Sequence, residues 1–148
     1  MGLRKGNIMI DTNTAPYAAF ALRITTGALL VAHGLLKVMV FTIPGTVGFF
    51  ESLGLPGVFA YLTIFAELVG GTALILGIAP RLVSLAVLPV LLGAVWAHSG
   101  NGWLFTNPNG GWEFPAFWAV AQLSVALLGG GAFALKIPMV NTLLGRYA

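Results

Sequence analysis

The sequence predicts an all-α integral membrane protein, a four-transmembrane-helix antiparallel bundle with a short interfacial helix between helices one and two. Three observations predict it. Of 148 residues, 58% are hydrophobic and only 7% charged, against about 25% charged in a soluble domain. Mean hydropathy is +0.95. The apolar residues also gather in four stretches, each near the roughly 20 residues needed to cross a bilayer. The length permits one domain, spanning residues 1–148.

The four expected spans are residues 17–40, 58–78, 82–98 and 114–135. The first exceeds the roughly 7–15 residues of a signal-peptide core and reads as a retained helix. Gly45 to Gly54 reads as the interfacial helix, stopped by Gly54 and Pro56. Ala79-Pro80-Arg81 is a tight turn that makes helices two and three an antiparallel hairpin. Pro89 predicts a kink in helix three. Residues 99–113 are rich in Gly, Asn and aromatics, and Trp103, Phe105 and Trp112 suit the headgroup belt. Arg4, Lys5, Arg81, Lys136 and Arg146 fall on one side of this topology, while Glu51 and Glu113 fall on the other. The positive-inside rule then places both termini in the cytoplasm of an inner (plasma) membrane protein. Helices one and three both end near a Gly-flanked histidine, which is at most a weak internal repeat.

Composition also excludes functions. The chain has no cysteine, so it forms no disulfide, relays no thiol and ligates no Cys-bound zinc or iron–sulfur cluster. Two histidines make a metal site unexpected. Seven scattered Lys and Arg act as topology signals and make no nucleic-acid surface.

An ionisable group at membrane depth costs about 2.5–3.5 kcal/mol on insertion scales, so those present need a partner or a task. Arg23, Thr26, Leu30, His33 and Lys37 are spaced 3, 4, 3, 4 and share one stripe of helix one. Lipid rejects such a stripe, so it faces the interior. Glu67 lies mid-membrane on helix two. Two readings are open for Arg23 and Glu67. One is a buried ion pair that pins helix one to helix two. The other is a ligand or proton site, with Glu67 as proton acceptor and Arg23 holding a carbonyl or anionic oxygen. Lys37 is open to a third role, snorkelling to the headgroups. His33, Lys37 and His98 are expected at one outer mouth, where they would suit a quinone carbonyl or a small anion. Trp118 and Gln122 share a face of helix four, fit for an interhelical hydrogen bond and secondarily for a ligand. Gly70-Gly71 and Gly129-Gly130-Gly131 read as close-packing devices.

These residues carry a resemblance. Leu22-Arg23 with Gly27 and His33-Gly34-Leu-Leu-Lys37 lie in helix one, followed by Phe50-Glu-Ser-Leu-Gly-Leu-Pro56 in the connection. Ala66-Glu67-Leu-Val-Gly70-Gly71, Leu76-Gly77 and Arg81 come next, then His98 and Asn109-Gly-Gly-Trp-Glu113. In this order the chain resembles the DoxX family of small four-helix membrane proteins, over about residues 17–135. The resemblance implies that Arg23, Lys37 and Glu67 are recurring polar positions. It also implies membrane-embedded redox support, linked in some relatives to quinones, thiol homeostasis and oxidative stress. Lys136 departs from the acidic residue that often follows helix four in the family.

The expected function is therefore a redox accessory, an oxidoreductase subunit if an enzyme at all. It would hold a quinone or similar small molecule in an outward-opening pocket. Glu67 and His33 are the candidate catalytic groups, and Arg23, Lys37, His98, Gln122 and Trp118 are candidate ligand contacts. The expected partners are the lipid bilayer, a membrane or periplasmic redox protein and, in a homo-oligomer, further copies of the chain. A membrane chaperone or assembly factor is the alternative from another class, and a small transporter is a third.

Overall fold

The computed structural model describes residues 10–138 together with 142, 143 and 145. Arg4, Lys5 and Arg146, used above for orientation, lie outside the described residues. Within them every regular element is helical. The helices are α1 (Ala15–Val40), α2 (Ile43–Ser52), α3 (Val58–Leu76), α4 (Pro80–His98) and α5 (Glu113–Leu128).

Three of these helices, α1, α3 and α4, are long and apolar enough to cross a membrane. Their outward residues stay apolar. Leu62, Phe65 and Val69 on α3 are exposed, as are Leu85 and Leu92 on α4. An apolar surface of this extent is stable against lipid and not against water. The chain is a membrane protein.

The expected fourth span is corrected. Instead of running through residue 135, α5 stops after sixteen residues, a rise of about 24 Å at 1.5 Å per residue. The glycine run is the cause. Gly129 takes φ 86° and Gly131 takes φ 65°, left-handed values that glycine adopts without a Cβ penalty and that end a helix. The glycines read as packing devices therefore terminate α5. The following chain crosses back over the bundle end, where Ala132 N–H donates to the Pro16 carbonyl and Leu135 N–H to the Leu76 carbonyl.

The other boundaries follow local chemistry. Pro16 opens α1 in its first turn, where a missing N–H costs nothing. Gly77 at φ 77° ends α3. The α3–α4 turn needs Ala79 at φ 43° before Pro80 restarts the helix. The α-helix continues through Pro89 without interruption.

Packing pairs α1 with α3 and α4 with α5, and α1 also touches α5. Leu30, Leu74, Val87, Leu91, Trp118 and Val125 form the buried apolar core. Gly27 and Gly71 mark the α1–α3 crossing. A Cβ on Gly71 would sit 2.7 Å from the Gly27 carbonyl oxygen, and one on Gly27 would sit 2.9 Å from the Gly71 oxygen. The two backbones are therefore in contact, as small residues permit in membrane bundles.

Candidate functional site

Each of the two charged positions on α1, Arg23 and Lys37, has its own environment. Arg23 is fully buried. Its Nε donates to the Gly130 carbonyl at 2.9 Å, and Nη1 donates to the carbonyls of Leu74 and Ile75. Nη2 donates to the Ala132 carbonyl at 3.2 Å. The guanidinium also lies 5.4 Å from the Phe20 ring centroid. Leu74 and Ile75 close α3, where carbonyls run short of helical partners, although Leu74 also accepts from the Gly77 N–H, and Gly130 and Ala132 lie in the chain just past α5. Arg81 likewise donates to the carbonyls of Ala126, Leu127 and Leu128.

The expected Arg23–Glu67 pair is therefore not formed. Glu67 pairs with Lys37, whose Nζ donates to Oε1 at 2.7 Å. Lys37 does not snorkel. Its side chain is 20% exposed and that of Glu67 is 6% exposed. The reason for the exchange is position along the bundle. Arg23 sits ten residues below His33 on α1, about 15 Å along the axis, and its reach ends in the carbonyl cage.

Both partners of this ion pair stand on π-helical turns. Lys37 lies in Leu36–Val40 and Glu67 in Ala66–Gly70. A π turn holds one extra residue, widens the helix and leaves carbonyls misaligned; such turns recur at functional sites. Here α2 seals one of them. Thr46 Oγ1 lies 3.0 Å from the Lys37 carbonyl and 2.9 Å from the Thr42 carbonyl. Thr42 itself takes φ 64°, the sharp corner that folds α2 back under the end of α1.

His33 joins this region to α5. Its Nδ1 is 2.9 Å from the Leu29 carbonyl oxygen. A carbonyl only accepts, so Nδ1 carries the proton and a neutral ring presents a lone pair at Nε2. The ring lies 5.0 Å from Trp118 and 6.4 Å from Phe114, centroid to centroid. On the other side, a Cβ on the adjacent Gly34 would sit 3.2 Å from the Glu67 Cβ. One turn beyond Trp118, Gln122 is fully buried and its Nε2 donates to Ser84 Oγ on α4 at 2.7 Å. The expected interhelical role of Gln122 is thus present.

Among the described residues, three buried polar side-chain atoms have no hydrogen-bond partner, namely Glu67 Oε2, Trp118 Nε1 and Gln122 Oε1. Each such atom carries a desolvation cost of about 1–3 kcal/mol unless something completes it. His33 lies between the first two, and with Gln122 one turn along α5 they mark a polar seam that runs from the α1–α3 contact to Ser84 on α4.

His98 does not join it. Its Nδ1 meets the Asn109 carbonyl at 3.1 Å, where Asn101 Nδ2 also donates at 3.2 Å. His98 fastens the loop before α5, and among the described residues no contact links it to His33. The expected pocket holding Arg23, His33, Lys37, Glu67 and His98 together therefore divides. Lys37, Glu67, His33, Trp118 and Gln122 gather along the seam. Arg23 stands at one end of the bundle and His98 at the end of α4, at the other.

Two cavities lie away from the seam. One, of about 440 Å³, is bounded by the α3–α4 turn, Gly130, Ala134 and Lys136. The other, of about 580 Å³, is an aromatic groove of Trp103, Phe105, Trp112, Phe114 and Phe117, in which Trp103 and Trp112 meet edge to face at 4.5 Å.

Sequence reasoning missed Ser84, Thr46 and the two π turns. The Thr42–Thr46 spacing was a usable signal for the second of these. A single serine in an apolar helix gave none.

A protein-family model described as DoxX matches residues 18–100 of the chain. A protein of Bacillus subtilis (strain 168) named "Putative oxidoreductase CatD" is 39% identical over 114 residues, covering 77% of this chain and 81% of that protein. No solved structure matches the chain.

Proposed function

The chain belongs to the DoxX family, and from that premise we propose a redox-associated membrane protein that binds a quinone, or a small ring of similar chemistry, in the seam. The observation that carries this reading is the set of three unpartnered buried atoms, Glu67 Oε2, Trp118 Nε1 and Gln122 Oε1. A quinone oxygen would accept from Trp118 Nε1–H, and a hydroxyl of the reduced ring would donate to Glu67 Oε2 or Gln122 Oε1. The oxidoreductase name of the Bacillus subtilis relative supports the redox class. A quinone, when bound, supplies a two-electron, two-proton couple.

The residues of the chain divide the work. Lys37 keeps Glu67 in place through one carboxylate oxygen and leaves the other for the ligand. His33 offers a lone pair at Nε2 for a proton. Trp118 and Phe114 supply flat apolar walls on which a ring stacks. With no cysteine in the chain, electrons pass to and from a partner protein or the membrane quinone pool.

The proposed topology has four spans in the inner membrane and both termini in the cytoplasm. Arg81 at the α3–α4 turn and Lys136 after α5 support it, because they share one end of the bundle. Glu51 and Glu113 lie toward the opposite end.

Binding tests the reading. Purified protein in lipid nanodiscs is titrated with decylubiquinone. Saturable binding at one site per chain is expected, weakened about fivefold in a Trp118→Phe variant, which removes the hydrogen bond of roughly 1 kcal/mol that the indole N–H gives a quinone oxygen. Wild-type protein that shows no saturable binding overturns the proposal.

A further inference from the structure

We infer that the aromatic groove at the start of α5 seats a zwitterionic phospholipid, with the terminal ammonium of its headgroup against Trp103, Trp112 and the Glu113 carboxylate. The groove, of about 580 Å³, has apolar walls except for Glu113, and no basic residue stands among them. Arg81 holds the Leu127 carbonyl at the other end of the same helix, about 21 Å away at 1.5 Å per residue.

A tryptophan at headgroup height needs no role beyond anchoring. Here, however, the two indoles form a built corner. Trp112 N–H donates to the Gly102 carbonyl at 3.2 Å, and Glu113 N–H donates to the Trp103 carbonyl at 3.1 Å. Glu113 Oε1 accepts from the Phe105 N–H at 2.9 Å, which folds the carboxylate against the loop. A Cβ on Gly111 would overlap the carbonyl oxygens of Trp103 and Leu104, so the two arms of the loop are in backbone contact. These ties hold Trp103 and Trp112 edge to face, with ring planes at 85°.

Charge chooses the occupant. The face of an indole is the negative side of its quadrupole and attracts cations, quaternary ammonium groups among them. Glu113 adds a full negative charge, which outweighs the roughly half-unit positive end of α5. An anionic headgroup meets repulsion from the carboxylate and from the ring faces. Length chooses the source. The groove continues along α5 over Phe117 and Val120, which are exposed and share a face of the helix. An ammonium ion alone leaves those two residues uncovered, whereas the acyl chains of a lipid lie along them.

Fluorine resonances test this on the full chain. Protein labelled with 5-fluorotryptophan is placed in maltoside micelles, and each signal is assigned by a single Trp→Phe substitution. Dihexanoyl phosphatidylcholine and dihexanoyl phosphatidylglycerol are then titrated in. Saturable shifts at Trp103 and Trp112 are expected, with the buried Trp118 signal unmoved. The Kd for the choline lipid is expected to be about fivefold lower than for the glycerol lipid, the size of one exposed cation–π contact. Glu113→Gln, which keeps an acceptor for Phe105 N–H, is expected to remove most of that preference. Trp112→Leu, read at Trp103, is expected to narrow it as well. Tetramethylammonium alone is expected to bind at least about tenfold more weakly than the choline lipid. Equal affinity for the two lipids, no shift at either tryptophan, or a preference that survives both substitutions overturns the inference. Tetramethylammonium binding as tightly as the lipid overturns the assignment to a phospholipid. No quinone enters the experiment, so its outcome is independent of the seam.

Discussion

Arg23 and the Lys37–Glu67 pair lie on the same face of α1 and are held in opposite ways. Around Arg23 everything is complete: two carbonyls at the end of α3 and two in the chain just past α5 accept from its guanidinium. Around Glu67 one oxygen is matched by Lys37, and the other, together with an indole N–H and an amide oxygen, is left over. The difference separates two uses of buried charge. A cation that collects carbonyls where helices end closes a fold. A carboxylate that is only half satisfied leaves something for another molecule.

Three substitutions sharpen or break that contrast. The largest effect is expected at Arg23. Arg23→Ala strands the carbonyls it serves, each at about 1–3 kcal/mol, for a total of about 5 kcal/mol or more. Arg23→Lys does not rescue it, because one ammonium cannot fork across the group. Thermal unfolding in detergent reads this. A variant that unfolds at the wild-type temperature would show that the carbonyl cage does not hold the bundle end.

Next comes Lys37→Met, which leaves a buried carboxylate alone. Breaking such a pair costs about 3–5 kcal/mol, and the lower figure applies here because Lys37 keeps a fifth of its side chain exposed. Adding Glu67→Gln to Lys37→Met is expected to recover most of the loss. Absence of coupling in that double-mutant cycle would mean that the pair is not formed in the membrane. The smallest effect is expected at Thr46→Val, about 1 kcal/mol, together with faster amide exchange in residues 36–42 as the π turn loses its cap. Unchanged exchange there would dissociate α2 from the ion pair.

Much of this architecture was legible in the sequence. Hydropathy located the helices because lipid allows no other solvent-facing surface. The 3, 4, 3, 4 spacing located the polar stripe because helical geometry is local. What failed depended on registers that the sequence does not display. The pairing of Glu67 with Lys37 needs the height of α3 against α1, and each π turn inserts a residue that breaks the 3.6 period on which such estimates rest. The end of α5 was misread because Ala132, Phe133, Ala134 and Leu135 are as apolar as any span, while three consecutive glycines before them reverse the chain. Trp118 and Gln122 were legible as a face, and their open atoms were not, since an unpartnered atom is a property of the neighbours.

The contact of Gly27 with Gly71 has a mechanical consequence. Two main chains that already touch have no compressible layer between them, so α1 and α3 behave as a single stiff plate carrying both members of the ion pair. The other plate, α4 with α5, is tied across by the Gln122–Ser84 hydrogen bond, and α3 lies directly on it, where a Cβ on Gly70 would sit 2.8 Å from Val87, so any parting of the two plates opens the α3–α4 contact and leaves the Lys37–Glu67 pair whole.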